Sequence, residues 1–135
     1  MSTSPGRAAP VTVRMASTEP GFDVASVPLS GAPGLAVRGE VDIQTAPDLI
    51  AALEDAIRES EGALVVDLSD TDFLDSCGVH ALLRARGLLG REDRQLVIVC
   101  PAGPARRVFE IAGMTDVLAL FESRDAAAAA LRPAG

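Results

Sequence analysis

The chain has 135 residues, 48% of them hydrophobic and 3% aromatic, with no Trp or Tyr and a net charge of -7. That length fits one domain with a sizeable aliphatic core; the missing aromatics remove stacking platforms for single-stranded nucleic acid or sugars, and the negative charge argues against phosphate-backbone binding and against anionic membranes. Two cysteines, Cys77 and Cys100, make no disulfide scaffold, and with no signal peptide or membrane-length apolar run visible, a reduced cytoplasmic protein is expected.

Residues 1–20 are rich in Pro, Ser, Thr and Gly and are expected to form a flexible N-terminal segment. Its one apolar alternation, at residues 11–15, could be a short strand. A single domain is expected over residues 21–132. Residues 22–29 alternate as a strand does, with Pro28 marking its end. Residues 30–34 have turn composition, and 35–39 read as the returning arm of a hairpin. Thr45, Pro47 and Asp48 announce a helix, with Thr45 as cap and Asp48 as the acidic half of a capping box. Leu49, Leu53, Ala56 and Ile57 line one face of it, and Gly62 closes it.

Residues 64–68 are too continuously apolar for a half-exposed strand and predict a buried parallel one. A helix follows from the Asp75-Ser76 junction to about Leu89, then a buried strand at 96–100. Pro104 opens a short helix carrying Val108, Phe109 and Ile111, and Gly113 closes it. A short strand at 117–120 and an Ala-rich helix at 125–131, capped by Ser123, complete the order β, β, α, β, α, β, α, β, α. This alternation predicts an α/β fold: a mixed sheet of four to five strands with helices packed on it.

The most informative stretch is Phe73-Leu74-Asp75-Ser76-Cys77-Gly78, where a buried strand hands over to a helix. Unpaired N–H groups and the helix dipole make such a start electropositive, so a phosphoryl group on Ser76 should be accepted there. The plainer expectation is that Asp75 or Ser76 simply caps the helix.

Other chemistry finds less support. Asp67, Asp70, Asp72 and Asp75 cluster on what reads as one loop but lack calcium-loop spacing, and one His with two separated Cys builds no metal site. Ser76 or Cys77 with His80 is the only start of a nucleophilic centre, and no third member is evident. No glycine-rich phosphate loop follows a strand, so no cofactor is expected. Cys77, at a helix start, should have a lowered pKa. If Cys77 and Cys100 face the same sheet edge, a redox bridge between them is conceivable; otherwise Cys100 is a small buried hydrophobe.

Taken together, Val37-Arg38-Gly39-Glu40-Val41-Asp42, Thr45-Ala46-Pro47, Val66-Asp67-Leu68-Ser69 and the 73–78 segment resemble the STAS domain, most closely that of bacterial anti-sigma factor antagonists. The resemblance covers about residues 22–131. It implies a single STAS-like domain acting by partner switching: the unphosphorylated antagonist binds an anti-sigma factor that is also a serine kinase, the kinase phosphorylates it and releases it, and a serine phosphatase resets it. Carried over, Ser76 is the phosphoacceptor. Gly39, Glu40, Asp42, Asp75, Ser76, Cys77 and Gly78 form the docking surface, with Gly78 letting the partner approach the backbone. The chain would then be a kinase substrate and not an enzyme, a monomer or weak dimer without direct nucleic-acid or membrane contacts.

Two positions depart from the family pattern. Cys77 stands where Ser or Thr is usual, which leaves Ser76 as the one hydroxyl, and Val79-His80 replace the usual Leu-Gly, adding bulk at the docking edge. Two further readings compete: a STAS scaffold or sensor module of a larger signalling assembly, and a small thiol enzyme built on Cys77 and His80.

Overall fold

The computed structural model describes residues 21–131; the strand expected at 11–15 lies outside them. The elements are β1 (Asp23–Ser26), β2 (Gly34–Val41), α1 (Ala46–Arg58), β3 (Leu64–Leu74), α2 (Ser76–Gly90), β4 (Leu96–Val99), α3 (Pro104–Ile111), β5 (Ala119–Phe121) and α4 (Arg124–Leu131). They build the expected mixed sheet, with strand order β1-β2-β3-β4-β5. The β1–β2 pair is antiparallel and the rest are parallel.

Alternation along the strands decides the layers. Val24, Val37, Leu64, Val66 and Ile98 turn to the face covered by α1, α2 and α3, and pack with Leu49, Leu53, Leu82, Leu89 and Phe109. Val65, Val97 and Val99 turn to the other face, where Ala127 of α4 meets them. Because both faces of β3 and β4 are buried at this level, their sequences are continuously apolar. Arg124, at the start of α4, donates to Asp67 Oδ2 (2.9 Å) and to the Pro28 carbonyl (3.2 Å). It thereby ties the second face to the hairpin.

Three elements differ from their sequence expectations. β1 stops at Ser26: the Val27 N–H already closes the hairpin onto the Gly34 carbonyl (2.9 Å), and Leu29 pairs only with Ala32. Thr45 occupies the expected cap position, but its hydroxyl makes no bond to the helix; it turns back to donate to the Glu40 carbonyl (2.9 Å). The largest change is in β3, which runs on to Leu74 instead of ending at Leu68. Its last residues pair with β2 (Arg38↔Asp70, Gly39↔Thr71, Glu40↔Phe73, Val41↔Leu74) through two register shifts that each leave an extra residue on β3 and break its simple period. Asp67, Asp70 and Asp72 therefore belong to a strand and not to a loop.

Candidate functional site

The long β3 carries the Asp75-Ser76 junction to one end of the sheet, beside the end of β2. The Asp75 N–H donates to the Val41 carbonyl (3.0 Å), which locks the two strand ends together. Asp75 is extended and caps α2: its Oδ1 accepts from the N–H of Cys77 (2.8 Å) and more weakly from that of Gly78 (3.4 Å). Its carbonyl accepts from the N–H groups of Gly78 (3.0 Å) and Val79 (3.2 Å). Ser76 is the first residue of the helix and is exposed to solvent.

This cap alters the electrostatic expectation. The N–H groups of Cys77, Gly78 and Val79 are engaged within the turn, and a carboxylate already occupies the positive end of the dipole. A phosphoryl group on Ser76 would stand beside that carboxylate, so the helix start tolerates it without supplying a ready nest of free donors.

Glu40, at the end of β2, is exposed, while Asp42 is half-buried in the turn that follows. Asp42 Oδ1 accepts from the N–H groups of Gln44 (2.9 Å) and Thr45 (3.0 Å), and its own N–H donates to Thr45 Oγ1 (2.9 Å). The acidic residue of the Gly-Glu-x-Asp motif thus holds a rigid turn into α1. Ile43, carried at the tip of this turn, is 74% exposed, and Phe73, paired with Glu40, is 46% exposed.

The two motif glycines have internal roles. Gly78 is buried, and a β-carbon there would lie 2.2 Å from Leu74 Cδ1 and 2.9 Å from Val41 Cγ1. Its lack of a side chain lets α2 pack on the strand ends, a reason for glycine that the expected approach of a partner does not supply. Gly39 has φ +94°, and a β-carbon on it would fall 1.3 Å from the Gly21 carbonyl oxygen. It belongs to the fold and offers no side-chain surface.

Cys77 is half-buried and Cys100 is buried, both as free thiols. The expectation that they share a sheet edge fails. β4 ends at Val99, level with Asp67, whereas β3 continues to Leu74. Over that stretch the paired β2 advances five residues, Ala36 to Val41; at about 3.3 Å each the two strand ends lie roughly 16 Å apart, well beyond disulfide reach. Burial pushes the Cys100 thiol up to about 11; Arg106 opposes this, while Asp67 and Glu110 add to it.

His80 is exposed on α2, and among the described residues no hydrogen bond joins it to Ser76 or Cys77. Asp67 is spent on Arg124 and on Ser69, whose N–H it accepts at 2.9 Å. Among the described residues no three His, Cys, Asp or Glu side chains are grouped to hold a metal, and no helix is long and apolar enough to cross a membrane.

Sequence reasoning passed over Ile43 and Phe73, because apolar residues beside buried strands read as core. For Ile43 the available signal was its place between Asp42 and Thr45, inside a turn.

The fold and site define a small α/β module that presents one hydroxyl at a strand-to-helix junction. The chain belongs to the STAS domain family, whose model matches residues 29–127. It is 33% identical over 99 residues to BtrV of Bordetella bronchiseptica, a protein named provisionally as an anti-sigma factor antagonist, covering 73% of this chain and 84% of that one. It is 27% identical over 89 residues to the anti-sigma-B factor antagonist of Staphylococcus aureus, covering 66% and 82%. Among solved structures it resembles an anti-sigma factor antagonist from Mycobacterium paratuberculosis, with 30% identity, a TM-score of 0.77 and coverage of 87% and 99%.

Proposed function

We propose that this chain is an anti-sigma factor antagonist: unphosphorylated, it binds an anti-sigma factor with serine kinase activity, and phosphorylation at Ser76 releases it. The supporting observation is the position of Ser76, exposed at the first turn of α2 directly after the capping Asp75. The docking surface is centred on Glu40, Asp75, Ser76 and Cys77, with Asp42 holding its turn. In this role the chain performs no reaction of its own. It acts in the cytoplasm as a monomer or weak dimer, and a serine phosphatase restores the binding form.

Phosphorylation adds about -1.5 to -2 charges at neutral pH. Next to Asp75 and inside a dry contact, this brings repulsion and desolvation; a loss of about 3 kcal/mol lowers affinity by about two decades. Because Ser76 is solvent-facing, the penalty falls on the contact and leaves the core alone.

The test is a pull-down from extracts of the source organism with radiolabelled ATP, followed by identification of the labelled residue and the kinase. A single label on Ser76 is expected. Ser76→Ala should retain the kinase in the presence of ATP, and Ser76→Asp should bind weakly with an unchanged circular-dichroism spectrum. Release of Ser76→Ala by ATP overturns the proposal.

A further inference from the structure

Four large apolar side chains stand exposed on the described surface: Ile43, Phe73, Ile111 and Val117. Scattered single residues of this kind are ordinary. Ile43 and Phe73 are distinguished by where they stand and how they are held. Ile43 is two residues past Val41, whose carbonyl fixes Asp75, and Phe73 is three residues before Ser76. Ile43 and Phe73 therefore stand next to the two strand ends that the Asp75–Val41 bond joins, the ends from which Ser76 follows.

Neither backbone segment needs ordering on contact. Beneath Ile43, the turn is closed by Asp42 Oδ1 to two N–H groups, by Thr45 Oγ1 to the Glu40 carbonyl, and by the Ala46 N–H to the Asp42 carbonyl (2.8 Å). Phe73 sits in a paired strand and, by alternation with the buried Leu74, turns away from the core. A preordered apolar anchor loses little freedom on binding, which is the property shared by interface residues that dominate affinity.

The charged residues next to this pair in sequence or strand pairing are Glu40, Asp42, Asp72 and Asp75, all acidic, with the carboxylates of Asp42 and Asp75 turned into their own turns; Arg38, two residues before Glu40, lines one cavity with Asp70 and Asp72. Resting on the function proposed above, we infer that Ile43 and Phe73 are the anchors that seat the kinase partner over Ser76, and that this partner presents an apolar pocket flanked by basic side chains opposite Glu40 and Asp72. The anchors fix the register in which Ser76 meets the kinase. A phosphoryl group then arises at the edge of an apolar contact, where its desolvation is poorly compensated.

The probe is the purified kinase that labels Ser76. Ile43→Ala and Phe73→Ala should each weaken its binding to the unphosphorylated chain at least tenfold. They should raise KM for phosphorylation and leave kcat within about twofold. Ile111→Ala supplies the control: Ile111 is 79% exposed at the far end of α3, and its removal should leave affinity within twofold. Glu40→Gln with Asp72→Asn should reduce the salt dependence of binding.

Folding is not at stake for Ile43, which is mostly solvated, and circular dichroism checks Phe73→Ala. Unchanged affinity for Ile43→Ala overturns the inference while the function stands. So does the loss of a wild-type dimer on that substitution, which would make the patch a self-contact. If no kinase labels Ser76, the function itself falls and the anchors fall with it.

Discussion

Replacing Gly39 with alanine tests whether this motif glycine belongs to the fold or to a binding surface. Its φ of +94° is one that L residues rarely adopt, and the new methyl carbon would sit 1.3 Å from the Gly21 carbonyl oxygen and 3.1 Å from Phe22 Cα. Backbone strain of this kind costs about 1–2 kcal/mol. The overlap is with main chain and cannot be relieved by a rotamer change. The lead into β1 must move, and Phe22 is buried in the core; disturbing such packing costs about 1–3 kcal/mol more. A total of about 2–5 kcal/mol is a large share of the roughly 5–15 kcal/mol that holds a typical domain together. With a urea slope near 1.5 kcal/mol per molar, the unfolding midpoint followed by far-UV circular dichroism should fall by about 2 M at constant slope. A midpoint unchanged from wild type, together with lost kinase binding, would refute this reasoning and return Gly39 to the docking surface.

Gly87 gives the opposite expectation: it is exposed inside α2, and a β-carbon there meets nothing within 4 Å. Gly87→Ala should raise the urea midpoint by the equivalent of about 0.5–1 kcal/mol, and a lowered midpoint would show that the helix is distorted there. The sequence contains no Lys and no Tyr, and comparison with Cys100→Ala separates Cys100 from the other thiol, so the pH dependence should report on this residue. Burial raises its pKa from 9.0 to about 11, so the thiol is harder to ionise folded than unfolded. The associated stability is complete below pH 9 and is lost as the pH climbs to 11, about 2–3 kcal/mol in all. Urea midpoints at pH 8 and pH 11 should show this loss in the wild type and much less of it in Cys100→Ala; an equal loss in both assigns it elsewhere.

Much of the architecture was legible because local signals agreed. The Ser30-Gly31 turn between two alternating arms gave the hairpin, and the apolar runs at 64–68, interrupted only by Asp67, and at 96–99 gave the buried parallel strands. What escaped was non-local. The extension of β3 through Asp70–Leu74 has acidic residues and an irregular register that mimic a loop, and only its pairing with β2 makes it a strand. The Cys77–Cys100 expectation failed for the same reason, since it required both strands to end at one level. Thr45 was rightly placed at the helix start, but the Glu40 carbonyl and Asp42, five and three residues upstream, compete for its hydroxyl. Gly78 and Gly39 were seen as motif residues, yet why each must be glycine depends on atoms of Leu74, Val41 and Gly21 that no spacing rule brings near.

On the function proposed above, the same packing would let a covalent change at Ser76 act on a contact without melting the helix that carries it. Each neighbour of the hydroxyl is fixed by a bond that does not involve it: Asp75 by the Val41 carbonyl and by the N–H groups of α2, Gly78 by its close fit under Leu74 and Val41, and the opposite lip by the Asp42–Thr45 turn. Adding negative charge there removes none of these bonds. It places a second anion beside the Asp75 carboxylate, at an edge where Glu40 and Asp72 already leave the surface acidic. The fold's free energy is therefore nearly independent of the Ser76 state, while the free energy of any apolar contact made across it is not. A switch of partners needs that separation, and it follows from Asp75, and not Ser76, being the residue that caps α2.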